Sequence, residues 1–114
     1  MLPNTRTAYK EKAMRTIQEL YIAVDEALNE NDWCEIEDIV LETLHHLPDF
    51  ADDQYEMWNA NDVKNLCQAL GNKVFDKWGI SELKNIRLTV ECEMSEYAAR
   101  FLDIFWSRHL GMPF

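Results

Sequence analysis

The sequence predicts an all-α fold, a compact bundle of four to five helices forming a single domain over residues 1–114. Apolar residues recur at intervals of three and four along most of the chain, the spacing that gathers them on one side of a helix. Residues that stop or start helices separate these stretches: Asn29 to Asp32, Pro48, Gly79 and Ser81. Length adds a third argument. With 114 residues, 47% of them hydrophobic, one core can hide about two thirds of the unfolded surface. Two half-length domains could not each build an adequate core.

The first helix is predicted over Thr5 to Asn29, with Ala13, Ile17, Leu20, Val24 and Leu28 as its stripe and Tyr9, Tyr21 and Ala27 widening it. Asn31 or Asp32 is placed to cap a second helix, and Glu35 stands three beyond Asp32 as in a capping box. That helix runs to about Leu47, with Trp33, Ile36, Val40, Leu44 and Leu47 inward, and Pro48 stops it because the residue before proline is pushed out of helical geometry. A loop follows from Pro48 to Asp53, where Asp52 or Asp53 is placed to cap a short helical turn through Trp58. A third helix is predicted from Asn61 or Asp62 to Trp78, burying Val63, Leu66, Leu70, Val74 and Trp78, with Gly71 as a weak point in its middle. Gly79 ends it in a left-handed cap and Ser81 starts the next element.

Residues 86–94 carry two patterns. Ile86, Leu88, Val90, Cys92 and Met94 alternate with polar residues as in a single strand, while Leu83, Ile86, Val90, Met94, Tyr97, Phe101 and Ile104 form an unbroken helical stripe. Helix is the preferred reading. A lone strand would leave its backbone groups unpaired unless it met its copy in a dimer. The last helix, Ser95 to Leu110, spreads Phe101, Leu102, Ile104, Phe105 and Trp106 over about 200° of its circumference. Such a helix is either central to the bundle or part of a subunit interface.

Cys34, Cys67 and Cys92 are odd in number and match no zinc or redox spacing, so they read as reduced, largely buried thiols. No signal-peptide pattern and no run of eighteen apolar residues is seen. The expectation is a cytoplasmic protein that does not span a membrane.

No catalytic constellation and no cofactor site is legible. His45 and His46 point about 100° apart on a helix, and Pro48 interrupts the pairing of His45 with Asp49. Near a helix C-terminus these imidazoles, like His109, have a structural role open to them. Ser81, Ser95 and Ser107 lie in no nucleophile elbow, and Gly71, Gly79 and Gly111 form no phosphate-binding loop. The stretch Asp49-Phe50-Ala51-Asp52-Asp53-Gln54 lacks the residue pattern of a calcium loop. No metal site is predicted, and the chain is read as a non-enzyme.

Charge is the remaining signal. The net charge is −10, yet no Lys or Arg occurs from Thr16 to Val63, where fourteen acids fall. The N-terminal Arg6, Lys10, Lys12 and Arg15 form only a modest basic stripe, so direct nucleic-acid binding is not expected. Glu35, Asp38, Glu42 and Asp49 are read as one face opposite the apolar stripe of the second helix, extended by Asp52 and Asp53. Like charges four apart on a helix cost a few tenths of a kcal/mol, and nothing nearby in sequence offsets Asp38 and Glu42. A field of this sign attracts basic protein partners.

The expected function is an acidic protein-binding domain, an inhibitor or immunity-type protein that blocks a basic nucleic-acid-processing protein or toxin, with those six acids as its contact residues. The alternative is a structural or adaptor protein that forms a homodimer through its apolar C-terminal helix, anchored by Phe101, Phe105 and Trp106.

Overall fold

A computed structural model describes residues 15–111. Tyr9, Ala13, Arg6, Lys10 and Lys12 from the reading above lie outside the described residues. Within them the chain is all-helical, with α1 (Ile17–Asn29), α2 (Trp33–His45), α3 (Ala60–Trp78), α4 (Ile80–Glu93), α5 (Glu96–Phe105) and the short α6 (Ser107–Leu110). None of these helices is long and apolar enough to cross a membrane. α3 and α4 form a middle layer, with α1 and α2 packed on one side and α5 and α6 on the other.

α1 starts later than its apolar stripe suggested. Thr16 caps it by accepting from the Glu19 backbone N–H at 3.1 Å, and Glu19 Oε1 accepts from the Thr16 N–H at 2.8 Å, a reciprocal capping box. The signature Thr-x-x-Glu was present in the sequence and outranks a stripe that continues past it. Asp32 caps α2 through the Glu35 N–H, as anticipated, while Asn31 takes the left-handed conformation (φ 55°) that asparagine tolerates.

α2 is the most enclosed helix. Ile39, Val40, Leu41, Glu42, Thr43 and Leu44 are all buried, so its second half has no solvent face. This corrects the expectation that Glu42 faces outward, and of the two alternatives for the C-terminal helix it does not favour the one that makes that helix central. α1, α3 and α4 pack around α2, and residues 46–59 fold back over its end without forming the expected helical turn. Asp52 instead accepts from the Gln54 N–H at 2.8 Å, a local turn that competes with helix.

Gly71 sits where α3 meets Trp106. A Cβ at this position would lie 2.4 Å from the Trp106 indole nitrogen, and that nitrogen donates to the Cys67 carbonyl at 2.7 Å. The glycine is therefore a notch for a ring that is only 1% exposed. Gly79 (φ 91°, ψ −178°) joins α3 to α4 alone, in an extended positive-φ conformation confined to glycine and different from the left-handed cap expected. α4 begins at Ile80, one residue ahead of Ser81, which caps nothing.

Residues 86–93 are helical, which removes the strand alternative: Leu83, Ile86 and Val90 are buried on α4, and Leu88 and Cys92 stay exposed. Ser95 caps α5 through the Ala98 N–H, and the last helix breaks at Trp106. Arg87 grips the nearly buried Asp103 of α5 with Nε at 2.5 Å and Nη2 at 2.9 Å. Of the three free thiols only Cys67 is buried, and burial pushes it up to about 12; Cys34 and Cys92 are exposed, against the expectation for all three.

Gly71→Ala tests the notch. Alanine would favour an isolated helix by about 1 kcal/mol, but displacing a rigid, hydrogen-bonded ring costs more, and a net loss of about 1–2 kcal/mol is expected in urea unfolding. Wild-type or higher stability would show that the indole can move aside.

Candidate functional site

The six acids expected to act together separate into two groups. On α2, Glu35, Asp38 and Glu42 are half-buried or buried, whereas Asp49, Asp52 and Asp53 are exposed on the connection that follows. The first group belongs to the interior. Glu42 retains only 1% side-chain exposure, and Arg15, immediately before the α1 cap, reaches its Oε1 with Nη2 at 2.8 Å while Nη1 lies 3.3 Å from Glu35 Oε2. Burial alone would lower Arg15, but the carboxylates of Glu42 and Glu35 outweigh it and hold the guanidinium pKa above its ordinary value. Thus Glu42 is offset by a cation one residue outside the cation-free stretch, and the reading that nothing compensates it is corrected. Asp38 also has an interaction and does not stand open. Elsewhere in the block Lys73 holds Asp25 at 2.5 Å, and Thr89 donates to Glu37.

The second group stays at the surface. Asp49 Oδ2 accepts from the Tyr97 hydroxyl at 2.6 Å, and that carboxylate raises the phenol above its ordinary pKa. Asp52 and Asp53 follow on the same segment, and Glu56, not singled out from the sequence, is exposed beside them.

His46 holds this segment in place. Only 2% exposed, it donates from Nδ1 to the Glu56 carbonyl at 2.5 Å, and its own carbonyl accepts from the Trp58 N–H at 2.9 Å. Its ring stacks on Trp58 with centroids 3.5 Å apart and meets the Tyr55 edge at 5.5 Å. Next to it, His45 donates to the Leu41 carbonyl at 2.8 Å and stacks on Tyr55 at 4.6 Å. His46 Nε2 is buried without a partner. Desolvation therefore lowers the His46 pKa, more than the Glu56 carbonyl raises it. The two histidines are framework for residues 46–59, and His109 is likewise placed, donating to Asn72 Oδ1 at 2.5 Å. A cleft of about 570 Å³ lies between the start of α1 and this segment, lined by Arg15, Gln18, His46, Gln54, Tyr55 and Trp58 among others. Among the described residues, no three His, Cys, Asp or Glu side chains converge as metal ligands.

The residues expected to mediate self-association also divide. Trp106 is buried against Gly71 and offers no surface, a correction explained by the room that Gly71 leaves for its ring and the Cys67 carbonyl that accepts its N–H. Phe101 and Phe105 are partly buried and belong to a run of rings: Phe50 lies 5.7 Å from both Tyr97 and Phe101, Tyr97 is 5.3 Å from Phe101, and Phe101 is 6.0 Å from Phe105. Tyr97 and Ile104 are 55% and 52% exposed on the same helix. Asp49 bonding to Tyr97 and Phe50 packing on it join the acidic connection to the aromatic run. No spacing rule in the sequence brings position 49 to position 97.

Comparison of the chain with protein-family models, curated proteins and solved structures finds no match.

Two measurements probe these assignments. Arg15→Met leaves Glu42 buried without this ion pair; because Arg15 keeps 17% side-chain exposure, the expected loss is about 2–4 kcal/mol in urea unfolding. The double variant Arg15→Met/Glu42→Met should recover most of it, and equal losses in single and double variants would dismiss the pair. For His46 the native state favours the neutral ring, so the unfolded chain takes up a proton first. This contribution is intact above the unfolded pKa of about 6.5 and declines as pH falls through the lower folded value. Stability should drop as pH falls below about 6.5, and His46→Asn, which keeps a donor for the Glu56 carbonyl, should flatten the drop; an unchanged slope would rule His46 out.

Proposed function

We propose that this chain is a non-enzymatic binding domain that presents an acidic surface to a basic protein, as an inhibitor or immunity-type protein would to a nucleic-acid-processing protein or toxin. One observation carries the reading: Asp49, Asp52, Asp53 and Glu56 are exposed together on one connection, within a stretch of the chain that contains no Lys or Arg. The surface is smaller than the six acids read from the sequence. Glu42 is excluded because it is buried on Arg15, and Glu35 and Asp38 are half-buried on α2, Glu35 against the same guanidinium.

Physical chemistry favours a cationic partner over other classes. Four clustered carboxylates repel phosphate backbones and accelerate encounter with positive surfaces. Such attraction is screened within about 8 Å at physiological ionic strength, so salt should report on it directly. A second reading, self-association through α5, is favoured by the exposure of Tyr97 and Ile104; it retains Phe101 and Phe105 as anchors but not Trp106.

Affinity capture from cell extract at low and at high salt tests the main reading. Captured proteins should be basic, should fall by about tenfold or more as salt rises through the physiological range, and should be lost in Asp49→Asn/Asp52→Lys/Asp53→Lys. Capture that is salt-insensitive and unaffected by these substitutions would overturn it.

A further inference from the structure

We infer that the partner element recognised at this surface is a cationic amphipathic helix, whose apolar side seats on Phe50, Tyr97, Phe101 and Ile104 while its lysines and arginines meet the acidic connection where Asp49 joins it to the rings. The inference rests on the reading of the acidic connection as a binding surface and adds the apolar half of the contact.

Asp49 and Phe50 join the two halves. Tyr97, Phe101 and Ile104 lie at positions 0, 4 and 7 of α5, a stripe about 10 Å long that matches two turns of a helix laid along it. Phe50 widens the stripe from the side of the connection, with its ring 5.7 Å from both Tyr97 and Phe101. The Asp49 bond to the Tyr97 hydroxyl fixes that phenol, so its ring is presented in one orientation at the border between carboxylates and apolar carbon. An aromatic face beside carboxylates is a good receptor for guanidinium or ammonium groups, which gain from both. On the other flank, Arg100 and Glu96 lie 3.6 Å apart and offset each other, which leaves the negative side of the stripe to decide the sign of the ligand.

Charge also selects among occupants. A second copy would bring another −10 and the same carboxylates to the contact. A neutral apolar helix would cover Tyr97 and Ile104 but strip water from Asp49 without replacing it. A helix with apolar residues on one side and cations along its border satisfies both halves.

The test uses the full chain and two synthetic peptides of leucine, lysine and arginine, each about five helical turns long. One has leucines at helical spacing; the other has the same composition scrambled. Affinities are read by fluorescence anisotropy at low salt, with circular dichroism to confirm that each protein variant folds. The patterned peptide should bind about tenfold or more tightly than the scrambled one, and Ile104→Ser, which leaves the Tyr97 bond to Asp49 in place, should shrink that difference while leaving the scrambled peptide's binding unchanged. Asp49→Asn/Asp52→Asn/Asp53→Asn should weaken both peptides.

Equal binding of the two peptides, unaffected by Ile104→Ser but lost with the asparagine substitutions, would overturn this inference and leave the acidic reading standing. Failure of both peptides to bind, or binding indifferent to the asparagine substitutions, would overturn both. A dimer in sedimentation that Ile104→Ser dissociates would also overturn the inference by assigning the stripe to a second copy.

Discussion

Glu42 carries a carboxylate into the part of α2 that other elements enclose on every side, and a charge in that position has to be met by another. Moving an unpaired carboxylate out of water costs several kcal/mol even after the surroundings relax. The residue that meets it, Arg15, stands directly before the α1 cap. The pair therefore does more than neutralise: it fixes where the chain enters α1 and brings that entry against the middle of α2. Because the same guanidinium also contacts Glu35, the first half of the acidic block is tied to the bundle by its own counterion.

This constraint decides which carboxylates remain at the surface. An acid on α2 is drawn into packing with α1, α3 or α4, where Arg15 or Thr89 receives it. After His45 the helix is over, and the carboxylates that follow point away from the core on irregular backbone. The division between interior and surface acids thus follows the end of α2 and has no counterpart in the local charge density, which is high on both sides of it. Trp106 shows the same logic at the other end of the molecule. An aromatic residue that reads as an interface anchor becomes a core residue because Gly71 leaves room for its ring and Cys67 supplies a carbonyl for its N–H.

Helix identity and core composition were legible in the sequence because they depend on local periodicity. The buried positions Leu20, Val24, Ile36, Val40, Leu44, Val63, Leu66, Leu70 and Val74 all belong to stripes readable at three- and four-residue spacing. Residues 86–94 needed one further physical argument, that a lone strand cannot satisfy its backbone, and it pointed the right way. The start of α1 was misread because an apolar stripe was given more weight than the Thr16 and Glu19 capping pair. The candidate site was harder to read. Exposure of an acid depends on what packs over it, and neither the contact of Arg15 with Glu42 across 27 positions nor that of Asp49 with Tyr97 across 48 leaves a trace in sequence spacing.

The binding role proposed for the acidic connection would depend on how firmly it is held, since carboxylates on loose backbone lose in ordering entropy much of what they gain in attraction. Residues 46–59 have no helix to order them, and the imidazole of His46 takes over part of that task. It donates to Glu56, stacks on Trp58 and meets Tyr55, while its backbone carbonyl receives the Trp58 N–H. Asp49 is fixed at the other side through Tyr97. The segment is thus fastened at both ends, with Asp52 and Asp53 exposed between the fastenings. His46, which the sequence places at a helix C-terminus with a structural role open to it, serves as a clasp for a segment whose exposed carboxylates are bordered by aromatic rings.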